Sequence, residues 1–330
     1  MRAPLVRLVL RSVAPFLVAL PLLWILQGAL PSYYSFVFIN IAVNVILAVS
    51  LNVVNGFTGQ FSIGHAAFMA VGAYTAALVT TGMETFQVAG LPPGASDAVV
   101  FFVALAAGMA TASLAGLLVG TPSLRLRGDY LAIVTLGFGE IIRVVIENTR
   151  VLGQATGISG LPAYTNVLWA GMGVVATVVM ARRLLLSTQG RALLAIREDE
   201  VAAEAMGVDT VGWKVRAFVI SAAFAGLAGA LLVHKIQLVT PRMFTFVKSM
   251  EVVVMVVLGG MGSITGSIVA ATLLTVALES LQAADQYRMV LFSLLLIVLM
   301  LTRPSGLFGT REIWDAVPRW LRRRSGGSVP

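Results

Sequence analysis

The sequence contains no cysteine. A disulfide framework and a thiolate metal site are therefore excluded. Histidine is nearly absent as well: His65 and His234 are the only two, and they stand far apart in the chain. That argues against a histidine-rich metal centre. Charge is the third shortage. Only 12% of the residues are charged and 58% are hydrophobic, whereas a soluble domain carries about 25% charged residues. Such a chain cannot cover a water-facing surface, so a soluble two-domain enzyme of this length is not expected. Disorder is excluded too, because apolar surface to bury is abundant. Enzyme signatures are missing. GQFSIG (59–64) misses the spacing of a nucleophile elbow by one residue, and there is no H-E-x-x-H. There is also no Walker A sequence, so the chain itself cannot cradle ATP.

What the chain does have is long apolar runs. A spanning helix needs about 20 mostly apolar residues. Candidates are 13–30, 34–54, 64–81, 98–120, 130–147, 164–181, 215–233 and 287–302. The run 244–281 is broken by Gly259-Gly260-Met261-Gly262-Ser263 and suits two shorter helices. Alternation at period two is absent, which disfavours a transmembrane barrel. The expectation is an all-α polytopic membrane protein with about ten spans, some short or broken. It forms one transmembrane domain over 1–330. Pro31 and the aromatics after it make a poor cleavage site, so the first span is expected to stay uncleaved.

The formal charge of +8 would suggest nucleic acid in a soluble protein. Here topology accounts for it, and no nucleic-acid partner is expected. With the N-terminus inside and ten spans, the inside segments collect seventeen of the 23 bases. These are Arg2, Arg7, Arg11, Arg125, Arg127, Arg182, Arg183, Arg191, Arg197, Lys214, Arg216, Arg303, Arg311, Arg319, Arg322, Arg323 and Arg324. Outside fall Arg150, Lys235, Arg242, Lys248 and Arg288, and Arg143 lies within a span. That bias obeys the positive-inside rule. It places both termini in the cytoplasm, with 182–214 as a cytoplasmic loop and 312–330 as a basic cytoplasmic tail.

Four polar or small-residue stretches stand out. In 191–212, Glu198, Asp199 and Glu200 suit a helix N-terminus. Ala202, Ala203, Ala205 and Met206 favour helix, and Gly207 suits the C′ stop. This short exposed helix is either a solvated connector or a docking element. In 214–234, Ala222, Ala225, Gly226, Gly229 and Ala230 form a close-packing face, and the pairs Gly116/Gly120 and Gly262/Gly266 read the same way. The stretch 55–68 interrupts two spans with Asn55, Thr58, Gln60, Ser62 and His65. It is either a pore-lining break or a polar turn at the surface, and 258–267 poses the same choice. In the fifth span Glu140 falls near mid-bilayer with Arg143 on the same face. An ionisable pair at that depth is either a functional site or a structural ion pair.

Four segments together resemble a known family. SLNVVNGFTGQFSIGHAAFMAVGAYTAAL (50–78), GDYLAIVTLGFGEIIRVV (128–145), AIREDEVAAEAMGVDTVGWKVRAFVISAAFAGLAGAL (195–231) and VVLGGMGSITGSIVAA (256–271) are similar to membrane permease subunits of branched-chain amino acid ABC importers, of the LivM type. The resemblance implies a many-helix importer fold in a bacterial cytoplasmic (inner) membrane. It implies a LivH-like second permease, LivG- and LivF-like ATPase subunits, and a periplasmic or lipid-anchored amino-acid-binding protein. ATP and Mg would sit on the ATPases, with no cofactor on this chain. The family's coupling segment corresponds here to Arg197, Glu198, Asp199, Glu200, Ala202, Ala203, Glu204, Ala205, Met206 and Gly207. It is similar in part to the EAA-type loop of other importers, with Gly207 close behind Glu204-Ala205.

The expected function is alternating access for leucine, isoleucine, valine or similar amino acids, driven by the partner ATPases. Permeases resembling this one also serve urea, amides or sugars. Two further readings stay open. One is an ion-coupled secondary transporter using Glu140. The other is a lipid-modifying membrane enzyme using His65 as its base. Asn55, Thr58, Gln60, Ser62, His65, Glu140 and Arg143 are the candidate pathway residues.

Overall fold

The computed structural model describes residues 3–83, 92–124, 130–281, 297, 306–309 and 312. It is helical almost throughout. In chain order the helices are α1 (Ala3–Ala29), α2 (Ser32–Asn55), α3 (His65–Gly82), α4 (Pro93–Ser123), α5 (Tyr130–Asn148), α6 (Val167–Leu186), α7 (Thr188–Glu198), α8 (Glu200–Ala205), α9 (Thr210–Ile236), α10 (Phe246–Gly259) and α11 (Ile264–Ser280). Two-residue strands β1 (Ile158–Ser159) and β2 (Leu238–Val239) pair antiparallel. Nine of the ten expected spans fall on helices, and the tenth, 287–302, lies outside the described residues apart from residue 297. The segments Ser32–Asn55, Gly94–Ser123, Val167–Leu186 and Thr210–Ile236 are each long and apolar enough to cross a membrane. The glycine break divides 244–281 as expected: α10 stops at Gly259 and α11 starts at Ile264.

Helices α2 and α9 form the centre, with α3, α4 and α6 packed around them and α10 and α11 against α2. Apolar side chains give no drive for helices to associate within lipid, so close backbone approach must supply it. The small residues of α9 do this. A methyl added at Gly72 of α3 would stand 2.2 Å from Gly226 Cα, and one at Gly226 would stand 2.7 Å from the Gly108 carbonyl of α4. Gly116 and Gly120 meet Ala222 and Phe218 in the same seam. Gly262/Gly266 behaves differently. Gly262 lies in the turn before α11 with φ +95°, so the pair is not a helix-packing motif.

Residues 306–309 and 312 lie at the corner where α11 starts. Leu307 and Phe308 donate backbone hydrogen bonds to Leu258 and Gly259 carbonyls. Glu312 is buried, and its Oε1 accepts from Ile264 N at 2.6 Å while Oε2 accepts from Thr265 N at 3.1 Å and from the Thr265 hydroxyl. A carboxylate satisfies otherwise orphaned donors at a helix N-terminus and is favoured by the dipole there. Glu312→Ala strands those donors in a buried site. It is expected to lower stability by about 2–3 kcal/mol, read as a lower melting midpoint in detergent.

Candidate functional site

The connection between α6 and α9 holds the predicted coupling residues. It forms two helices where the sequence suggested one. Asp199 has an extended backbone (φ −157°, ψ 108°), which ends α7 and starts α8. Its Oδ1 accepts from Val201 N at 2.9 Å and Ala202 N at 3.0 Å, a side-chain N-cap. At the other end, Gly207 adopts φ +84° and Val208 N reaches back to the Ala203 carbonyl. That closure suits glycine at the C′ position. Glu198, Asp199, Ala202, Glu204, Ala205, Met206 and Gly207 are exposed on this element. Ala203 is buried beneath it. Val201 is 65% and Met206 84% exposed, the two large apolar side chains that α8 and its C-cap turn outward.

Arg197 and Glu200 reach toward the bundle, Arg197 while also holding the exposed Glu198 carboxylate through Nε at 3.2 Å and Nη2 at 2.7 Å. Glu200 Oε2 lies 2.5 Å from the ammonium of Lys214, which is 2% exposed in the second turn of α9. Arg197 Nη1 donates to the Gly56 carbonyl at 3.2 Å. A methyl at Gly59 would come within 2.9 Å of Arg197 Cγ, and one at Gly262 within 2.7 Å of Nη1. Gly59 and Gly262 both have positive φ, +71° and +95°. One guanidinium therefore sits where the α2–α3 and α10–α11 corners meet. Asn52 binds the corners directly: its Nδ2 donates to the Ser263 carbonyl at 3.0 Å, and its Oδ1 accepts from Gly262 N at 2.9 Å.

The stretch after α2 is neither a simple surface turn nor a continuous span. Asn55 Oδ1 accepts from Ser62 N at 3.2 Å, and Asn55, Thr58, Ser62 and His65 are all buried, with Gln60 half-buried. The His65 ring meets Ser50 Oγ at 3.0 Å. Ser50 lies five residues, about 7.5 Å of helix, back along α2 from Asn55. Residues 59–64 thus carry the chain back into the bundle before α3 begins. His65 gives no support to an enzyme: Ser50 is wholly buried, His65 is 2% exposed, and Ser50 Oγ also donates to the Leu47 carbonyl.

Helix α10 also begins inside. Ser249 Oγ accepts from Ala66 N at 3.1 Å, so the first turns of α3 and α10 adjoin. Ser249 stands ten residues, about 15 Å, from the Gly259 end of α10. Lys248, counted among the outside bases from sequence, is the third residue of α10. Its ammonium reaches Asn44 Oδ1 of α2 at 3.2 Å and Glu251 at 3.1 Å. Asn44 also donates to Thr275 of α11 at 2.9 Å. Sequence patterning missed this cluster, because the charge lies so near the expected start of a span.

Across from these two helix starts runs α5. Arg143 Nε meets Glu140 at 2.8 Å, as the spacing predicts, and Nη1 meets Glu147 at 2.5 Å, which the sequence reading overlooked. Two carboxylates share one guanidinium, so the row is net negative. Arg143 does not depend on Glu140 alone. A narrow cleft, with room for no more than a water, lies between Gly64, Ala67, Glu140, Gly139, Phe244 and Ser249. A second gap, with no room for a water, lies among Ala67, Ala70, Gly139, Arg143, Ile146, Pro241 and Phe244. One turn beyond Ala70, Tyr74 is 2% exposed and packs on Phe244, and its hydroxyl has no hydrogen-bond partner among the described residues.

Comparison with known proteins fits this architecture. The family described as branched-chain amino acid transport system, permease component, matches residues 33–301. The permease LivM of Salmonella typhimurium is 38% identical over 298 residues, covering 80% of this chain and 67% of the relative. LivM of Escherichia coli shows the same identity and coverage. The permease LivH of Salmonella typhimurium is 36% identical over 129 residues, 38% of this chain and 42% of its own. No solved structure matches the chain. A helical bundle with two helices starting inside it, and a family match over most of its length, place this multi-pass membrane protein among the permease components of branched-chain amino acid transport systems.

Proposed function

We propose that the chain is one of two permeases in an ATP-driven, binding-protein-dependent importer of leucine, isoleucine, valine or similar amino acids. A LivH-like permease pairs with it, and LivG- and LivF-like ATPases dock on the α7–α8 end. A periplasmic or lipid-anchored binding protein delivers the amino acid to the opposite end. The α7–α8 end and both termini face the cytoplasm across a bacterial inner membrane. ATP and Mg are held by the ATPases, and this chain makes no covalent change in the substrate.

One observation carries the reading: α8 is capped at both ends, offers Val201 and Met206 outward, and is tied by Arg197 and Glu200 to the bundle. A rigid exposed knob fixed to transmembrane corners is what a mechanical input requires. Glu204 is exposed on the same knob. Glu204→Lys is expected to leave insertion at the wild-type level and abolish copurification of the ATPases. Wild-type stoichiometry with unchanged uptake would overturn the reading. Uptake driven by an ion gradient in vesicles lacking the ATPases would replace it with a secondary transporter.

A further inference from the structure

The outward faces of the bundle differ in chemistry. Those of α1 and α4 suit lipid: Leu17, Leu22 and Ile25 on the one, Phe102, Leu117 and Leu118 on the other. Helix α5 does not match them. Its nineteen residues run about 28 Å, close to the thickness of the hydrocarbon core, yet only Leu131, Thr135 and Ile146 are buried. Tyr130, Ile133, Gly137, Glu140, Val144 and Glu147 follow one another in steps of three and four. That spacing lines residues along one seam for a second helix. Tyr130, Ile133, Gly137 and Val144 are exposed on it. Glu140 keeps 42% of its side chain exposed while paired to Arg143, and Glu147 keeps 28%. Ionised groups inside a membrane are costly against acyl chains and turn to protein or water instead. A second, independent sign is Gly137. A methyl there would meet nothing within 4 Å, whereas Gly72, Gly108 and Gly226 are each met by a neighbour's backbone. Glycine weakens a helix, and on a spanning helix its use is to admit a second backbone closely. Among the described residues no helix takes that place at Gly137.

We propose that this seam of α5 is where the second permease packs, one of its helices crossing at Gly137 and offering a cation or a hydrogen-bond donor to Glu140. The proposal rests on the two-permease reading above. The seam runs the length of a span, so its occupant must itself cross the membrane. That excludes the ATPases and the binding protein. Charge decides between the two occupants left. Two carboxylates share the Arg143 guanidinium, so the row is net negative. Two copies of this chain would meet through the same patch on each, setting one negative row against another. A different permease can bring the opposite sign.

The test is made on the complete importer in membranes. A photoreactive benzoylphenylalanine replaces Val144 on the seam or, as a control, Leu118 on the outward face of α4, which is 68% exposed. After irradiation the probe at Val144 is expected to join this chain to the second permease, and the probe at Leu118 to give lipid adducts. Cross-links from Val144 to lipid alone, to this same chain or to nothing overturn the proposal. So does a permease cross-link from Leu118 as strong as that from Val144. Gly137→Leu fills the seam from this side. Its Cβ meets nothing in the chain, and leucine is the better helix former, so insertion and yield of this chain should hold. Copurification of the second permease is expected to fall about tenfold or more, the cost of overpacking a close contact. Gly28→Leu, at an equally open glycine of α1, should leave it unchanged. Wild-type copurification in Gly137→Leu overturns the close crossing. A wild-type complex with no second permease in it sinks the two-permease reading. A complex that contains one, yet is indifferent to both α5 changes, sinks the seam alone.

Discussion

Arg197→Ala is expected to cut amino acid uptake about 100-fold while the ATPase subunits still copurify and still hydrolyse ATP. The side chain begins at the end of α7, beside the helix proposed to dock the ATPases; its Nε and Nη2 hold the exposed Glu198 carboxylate, and only Nη1 is directed into the bundle. It donates to the Gly56 carbonyl and fills the space that Gly59 and Gly262 leave open. Removing it leaves α8 capped by Asp199 and closed at Gly207, and takes from the exposed Glu198 only a surface ion pair, so the proposed docking surface is expected to survive. What is lost is the contact by which, on the proposed coupling, the α2–α3 and α10–α11 corners follow α8. Coupling free energies of about 1–3 kcal/mol correspond to roughly 5–150-fold, and one link serving two corners belongs near the top of that range. Gly262→Ala approaches the same seat from the other side, since its methyl would meet Nη1 and φ +95° disfavours any side chain. It is expected to share the phenotype. Loss of ATPase copurification in Arg197→Ala would make the arginine a docking contact. Unimpaired uptake would leave it no role.

Much of the fold was legible because apolar runs in a membrane protein are long and few charges interrupt them. The break at 259–263 was legible for the same reason, since glycines and a serine stand together there. The α7–α8 knob was legible in part: Asp199 and Gly207 are strong local signals, but the extended backbone at Asp199 that makes two helices is a single-residue event. The depth at which helices start was not legible. The sequence 55–68 looks the same whether its polar groups meet water or one another, and only the contacts of Ser62 with Asn55 and Ala66 with Ser249 decide it. Partners distant in sequence were hidden in general. Arg197 with Gly56, Glu312 with Ile264 and Lys248 with Asn44 each join residues that no periodicity relates. Glu147 escaped for another reason. It is four residues from Arg143, within helical reach, but the nearer Glu140 already explained the arginine.

The ion pair that ties α8 to α9 should show an asymmetry that identifies it as a buried strut. Lys214 is 2% and Glu200 28% exposed, with 2.5 Å between Nζ and Oε2. Removing one partner of a buried pair is costly when the other cannot reach water, on the order of 3–5 kcal/mol. Glu200→Ala does this: the Lys214 ammonium stays enclosed by α9 and its neighbours with its counter-ion gone. Lys214→Met does the opposite. Methionine keeps the length and apolar bulk of the lysine stem, and Glu200, nearer the surface, can turn to solvent. Glu200→Ala is therefore expected to lower stability by about 3–5 kcal/mol and Lys214→Met by about 1 kcal/mol, read as melting midpoints of the purified complex. The double variant Glu200→Ala with Lys214→Met should recover most of the loss, because no buried charge remains to be compensated. A surface pair would instead give two small and equal effects, and a double variant no better than the worse single change. In function the two are expected to agree. Both single variants free α8 from α9, so both should lose uptake, and the stable Lys214→Met protein should bind its ATPases without passing their stroke to the bundle.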